Sequence, residues 1–182
     1  IQREIDVVKD FLRIYRYNNI DSVQKHNASI ANSSPTEEYK LQNIIANLLT
    51  SNGFNEIMSN SLTTPEYIKL SEQLLQEQNV TILNPLSSDL SVMRQSLLFS
   101  GLEAVSYNIN RKNADLKFYE FGNTYKNQDK NYIENKHLAI FVTGNRSAES
   151  WLEKSQKSDF FLLKAHLSNI FNRLGIKGLR TS

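Results

Sequence analysis

The sequence has 182 residues, 40% of them hydrophobic and 22% charged, with a net charge of +2. This balance belongs to a folded domain and excludes a disordered chain, and so small a charge does not by itself mark a nucleic-acid-binding protein. Cysteine is absent, which removes disulfides, thiolate zinc sites and cysteine nucleophiles and agrees with a reducing compartment.

No apolar run reaches the ~18 residues of a membrane span. The chain starts at Ile1 inside a helical pattern and stops on Lys177–Ser182 without a closing element, so it reads as a stretch of a longer protein. Ile5, Val8, Leu12 and Tyr15 recur at helical spacing and predict an amphipathic helix over 3–16. Residues 18–34, rich in Asn and Ser, read as a linker. Three segments result: 1–20 as the last helix of a preceding small domain, 21–34 as linker, and 35–182 as the main domain.

Ser34 as N-cap, Pro35 at the first helical position and Glu37 closing a capping box start the next helix. Its apolar face is Leu41, Ile44, Ile45, Leu48 and Leu49, and Gly53 supplies the left-handed stop. Phe54–Leu62 then reads as a strand, Thr64-Pro65 opens a short helix to Leu70, residues 71–79 form a polar loop, and Thr81–Leu83 is a short strand. Ser96 to Arg111 is a second strong helix. Gly101 within it costs about 1 kcal/mol relative to Ala, which close approach of another backbone would explain. Leu116–Phe121 is a strand, Gly122 a bend and Thr124–Lys126 its continuation; His137–Thr143 pairs with it, and Asp159 caps a final helix that stops at Gly175. Strands joined by a short tip favour antiparallel pairing, so the fold class is α+β with helices flanking an antiparallel sheet.

Catalytic signatures are missing. His26, His137 and His166 share no metal-ligand spacing, and the sequence has no Gly-x-Ser-x-Gly elbow, Walker loop or Gly-x-Gly-x-x-Gly. Phe160, Phe161 and Phe171 fall where a helix meets its core. Asp6 and Asp10, at i and i+4, offer two carboxylates to a hard cation, or simply a solvated N-terminal turn. Tyr107, Arg111, Lys112, Lys117, Tyr119, Tyr125 and Lys126 interleave base and ring; they read as an RNA platform or as a protected hairpin edge.

Two stretches carry a resemblance. One is Leu12-Arg13-Ile14-Tyr15-Arg16-Tyr17-Asn18-Asn19-Ile20. The other is Val92-Met93-Arg94-Gln95-Ser96-Leu97-Leu98, followed by Gly101-Leu102, Asn108, Asn110-Arg111 and Phe118-Tyr119-Glu120-Phe121-Gly122. In this order and spacing the chain resembles the β subunit of bacterial phenylalanyl-tRNA synthetase. The resemblance implies a class II synthetase-like domain without catalytic residues, inside an α2β2 cytoplasmic ligase whose α subunit uses ATP and Mg2+. It implies the α subunit and tRNA(Phe) as partners, and Asp6 and Asp10 as two of the acids that hold magnesium, with Lys9 where a third acid is expected.

It also implies how the chemistry was lost. A catalytic class II domain has a proline where this chain has Asn60, and an aromatic-Arg-x-Glu run where it has Tyr125-Lys126-Asn127-Gln128. Lysine lacks the planar fork that grips phosphate bidentately, and glutamine lacks the charge of Glu. Two other readings stay open here: an ATP-binding, adenylate-forming domain that sets Arg94 and Lys126 on phosphate, and an RNA-binding module on 107–126.

Overall fold

The computed structural model describes residues 3–20, 37–129, 131–147, 150–152 and 154–177. The chain divides into two compact units, Ile1–Pro35 and Thr36–Ser182. In the first, α1 (Glu4–Tyr15) is the predicted amphipathic helix, with Glu4 and Asp6 in the first turn and Arg13 in the last, complementing its dipole. None of its residues is buried. It ends where Arg16 takes a φ of 68°. The linker 21–34, with His26, lies outside the described residues.

The second unit opens with α2 (Glu38–Ser51). Ser34 and Pro35 lie outside the described residues; Glu37 stands at the N-cap, but its carboxylate pairs with Lys40 (2.8 Å) and caps no backbone N–H. Gly53 stops the helix with a φ of 81°, as predicted. The single strand predicted over 54–62 is two short ones, β1 (Asn55–Glu56) and β2 (Leu62–Thr63). Between them Ser59 gives its N–H and hydroxyl to the Glu120 carboxylate (3.2 and 2.9 Å), which draws the chain out of any ladder.

Next come a 3₁₀ helix, Pro65–Leu70, then β3 (Val92–Met93) and α3 (Leu98–Ile109). The strand expected at Thr81–Leu83 is a single bridge, Thr81 to Val92. The hairpin is longer than predicted: β4 (Lys117–Gln128) pairs antiparallel with β5 (Asn131–Val142) from Lys117–Val142 to Gln128–Asn131. Gly122 is therefore no bend, and His137 lies mid-strand. Helix α4 (Phe160–Arg173) follows, its N-terminus capped by Asp159, which accepts from the Leu162 N–H at 2.8 Å.

The main sheet has the order β1-β4-β5, while β2 and β3 form an antiparallel pair. The expectation of antiparallel pairing throughout is corrected at one place: β1 runs parallel to β4. The register explains the burial. Tyr119 joins Ile45, Leu49, Phe54 and Ile170 on the side of α2 and α4. Phe118 joins Val105 and Leu116 on the side of α3, with Phe141 packed against them. Odd residues of β4 thus face α2 and α4, and even ones face α3, as a two-residue period requires. Each fully buried Leu or Phe contributes about 1.5–3 kcal/mol. A Cβ on Gly101 would come within 2.0 Å of the Phe141 ring, so Gly101 admits a side chain of β5 and not, as expected, a backbone.

Candidate functional site

Two parts of the second resembling stretch, Val92–Leu98 and Phe118–Gly122, meet at one buried ion pair. Arg94, following β3, extends its guanidinium to Glu120 in the middle of β4. Nη1 meets Oε1 at 2.8 Å, with the side chains 5% and 1% exposed. Arg94 Nε also donates to the Asn123 carbonyl (3.0 Å), and its Nη1 reaches the Asn60 carbonyl (3.5 Å). Its main chain is tied as well, donating to the Ser61 carbonyl and accepting from the Tyr125 N–H, each at 2.9 Å. Glu120 in turn accepts from Ser59 through both oxygens. Buried charges persist in this way only when paired and hydrogen-bonded.

Gly122 makes the room: a Cβ there would sit 2.4 Å from Arg94 Nη2 and 2.7 Å from Leu97. Sequence reasoning took Gly122 for a bend and passed over Glu120, although a Glu at the centre of an apolar strand is itself a signal of a buried partner.

Beside this pair, a cavity of about 680 Å³ opens between the 3₁₀ helix and α3, lined among others by Ser59, Asn60, Glu66, Lys69, Asp89 and Glu103. Tyr67 donates to Glu103, which holds the phenol pKa above its ordinary value. Three carboxylates against one lysine give this wall the wrong sign for a polyphosphate.

Lys126 stands opposite Ile133 near the hairpin tip, on the same face of β4 as Glu120 and Gly122, and Gln128 is exposed opposite Asn131. Arg94 and Lys126 therefore do not form a phosphate grip, because Arg94 is committed inside the fold. The interleaved bases and rings do not form one platform either. Arg111 stacks on Tyr107 at 3.3 Å, but Tyr119 is 2% exposed in the core, and Lys117 lies over Phe54 on the α2 side.

Of the histidines, His137 is exposed on β5. His166 on α4 sets its ring edge-on to Phe54, 4.8 Å between centroids, and its buried Nε2 has no hydrogen-bond partner. Burial first, then the nearby Lys117 and Arg146 charges, hold its pKa below the ordinary value. Asp6 and Asp10 stand one turn apart on α1. No group of three or more His, Cys, Asp or Glu placed to hold a metal occurs among the described residues. Two carboxylates alone fall short of a magnesium donor set. No helix among the described residues is long and apolar enough to cross a membrane.

Residues 23–182 match the family described as phenylalanyl tRNA synthetase beta chain CLM domain. The chain belongs to this family. It is 46% identical to the phenylalanine–tRNA ligase beta subunit of Bacteroides thetaiotaomicron over 97% of its length, and 35% identical to that of Porphyromonas gingivalis, again over 97%. In both cases it spans 23% of the relative. Among solved structures it resembles an ATP phosphoribosyltransferase regulatory subunit/histidyl-tRNA synthetase of Bacillus halodurans, with a TM-score of 0.58 at 16% identity over 86% of this chain and 39% of that one. It also resembles a pyrrolysyl tRNA synthetase of Desulfitobacterium hafniense, with a TM-score of 0.54 at 16% identity over 78% and 48%. These likenesses carry the fold, which is α+β and class II synthetase-like as expected.

Proposed function

We propose that this chain is the non-catalytic core of a phenylalanine–tRNA ligase β subunit. It assembles with a separate α subunit, helps to place tRNA(Phe), and makes no aminoacyl-adenylate itself. In this reading the holoenzyme is an α2β2 cytoplasmic ligase, and the α subunit supplies the ATP and Mg2+ chemistry. One observation carries the proposal: Arg94, the buried arginine beside the cavity, is spent on Glu120 and on backbone carbonyls. The rest of the domain agrees. Lys126 and Gln128 replace the Arg and Glu of a working class II hairpin, and the cavity wall is acidic.

The interface with α is assigned to the ridge of α2 that includes Leu41 and Ile44, 38% and 37% exposed. Leu49 is core.

Calorimetry of the natural-length β chain with ATP and Mg2+ tests the reading. The expected dissociation constant is weaker than about 100 μM, roughly −5.5 kcal/mol; tighter binding overturns it. In the assembled enzyme, Lys126→Ala and Gln128→Ala leave tRNA charging unchanged, whereas a large loss of kcat from either would restore a catalytic role to this hairpin.

A further inference from the structure

Past β5 the chain makes a short two-stranded ribbon, 144–147 against 154–158. Asn145 bridges to Lys157, the Arg146 N–H donates to the Gln156 carbonyl (2.7 Å), and the Ser158 N–H donates to the Gly144 carbonyl (2.9 Å). The base of the ribbon is pinned to the turn before β4. The Asp115 carboxylate accepts from the Asn145 N–H at 2.7 Å, and the Thr143 hydroxyl donates to the Ala114 carbonyl at 2.6 Å. Gly144, with a φ of 70°, passes so close to this turn that a Cβ on it would fall 2.2 Å from Asp115 Oδ1.

Arg146 and Gln156 lie opposite each other and share one face of the ribbon. With Ser147 and Lys154 they line a cleft of about 500 Å³. All four side chains carry hydrogen-bond donors, two are cations and none is an acid. Arg146 and Lys154 are exposed and, among the described residues, take part in no ion pair. The positive field continues onto the body of the domain, where Lys117 and Arg146 both act on the His166 imidazole. The cavity beside Arg94, with its three carboxylates, has the opposite sign. Glu149 and Glu153, the acids of the ribbon's own sequence, lie outside the described residues.

Trp151, the chain's one tryptophan, falls between the two arms of the ribbon and is 96% exposed. An indole has a large flat surface that folding ordinarily hides, so one left outside is available to a flat partner. The side chains around it decide the chemistry of that partner. Lysine is depleted at protein–protein contacts. Donors from Arg, Lys, Ser and Gln are what phosphate oxygens accept from, and an open indole face stacks on an unpaired base.

We infer that this ribbon holds RNA, with a backbone phosphate in the Arg146–Lys154 cleft and an unpaired base on Trp151. That the RNA is tRNA(Phe) rests on the proposed function; the phosphate and base chemistry rests on the ribbon itself. The contact lies away from the 107–126 stretch, whose Tyr119 is core.

The test uses the assembled enzyme with its natural-length chains. Arg146→Ala combined with Lys154→Ala should weaken tRNA(Phe) binding about 10-fold or more and lower the slope of log affinity against log salt by about 1. Trp151→Ala should weaken binding about 5-fold or more with the slope unchanged, and Trp151→Phe should restore most of the loss. Pyrophosphate exchange without tRNA should be the same in all variants, which separates a lost RNA contact from a lost fold. A photo-crosslinker in place of Trp151 should join tRNA(Phe), a readout that needs no loss of affinity. Natural affinity and slope in both alanine variants overturn the proposal and leave the non-catalytic reading standing, as does a crosslink from position 151 to protein instead of RNA. An assembled natural enzyme that binds no tRNA(Phe) overturns the tRNA role as well.

Discussion

Arg94 and Glu120 form a 2.8 Å ion pair with side chains 5% and 1% exposed, and four backbone and hydroxyl contacts from Ser59, Asn60 and Asn123 complete its shell. The pair joins the loop after β1, the segment before α3 and the centre of β4. Glu120→Ala leaves a buried guanidinium without its counter-charge and should cost about 3–5 kcal/mol in urea unfolding. The double replacement Arg94→Met with Glu120→Leu removes both charges and should recover most of that loss. If the double variant is as unstable as the single one, the pair contributes through its hydrogen-bonded shell and not through charge balance.

The two close approaches at glycine are separable. Gly101→Ala puts a methyl 2.0 Å from the Phe141 ring. It should destabilise by about 1–3 kcal/mol by overpacking, against the ~1 kcal/mol that helix propensity alone would return. Shrinking the ring with Phe141→Leu should lessen the penalty, giving a coupling energy of about 0.5 kcal/mol or more in a double-mutant cycle. Gly122→Ala meets Arg94 and Leu97 instead, so Phe141→Leu should not relieve it.

Leu49 and Ile44 lie on the same helix but answer to different forces. Leu49 is 2% exposed and belongs to the core, so Leu49→Ala should cost about 2–5 kcal/mol of stability. Ile44 is 37% exposed, and Ile44→Ala should cost much less in unfolding while weakening co-purification with the α subunit. Equal effects of Ile44→Ala on stability and on assembly would remove the proposed interface.

His166 gives the domain an acid-sensitive contact. Its folded pKa lies below the ordinary 6.5, because burial and then Lys117 and Arg146 disfavour the imidazolium. The unfolded chain therefore binds the proton more readily. Stability is full above the unfolded value and declines as pH falls through it toward the lower folded value. His166→Phe keeps the edge-on contact with Phe54 and removes the titration, so its unfolding free energy should change less between pH 7.5 and 5 than that of the natural chain. An unchanged slope would place the titrating group elsewhere.

The sequence by itself determined the four helices, the hairpin, the Asp159 cap, the stop at Gly53 and the family. These rest on local physics, namely apolar period, capping chemistry and positive φ, or on a motif order that survives in the linear chain. Only the tertiary structure decided the rest. It split 54–62 into two strands because Ser59 answers to Glu120, 61 residues away. It ran β4 straight through Gly122 because the missing Cβ is filled by Arg94. It turned Tyr119, a candidate RNA ring, into core. In each case the deciding partner is distant in sequence, and an interaction between distant residues leaves no periodicity in either segment. The proposal that this chain does no chemistry of its own rests on the same kind of contact: the arginine beside the cavity is held by a glutamate that only folding brings to it.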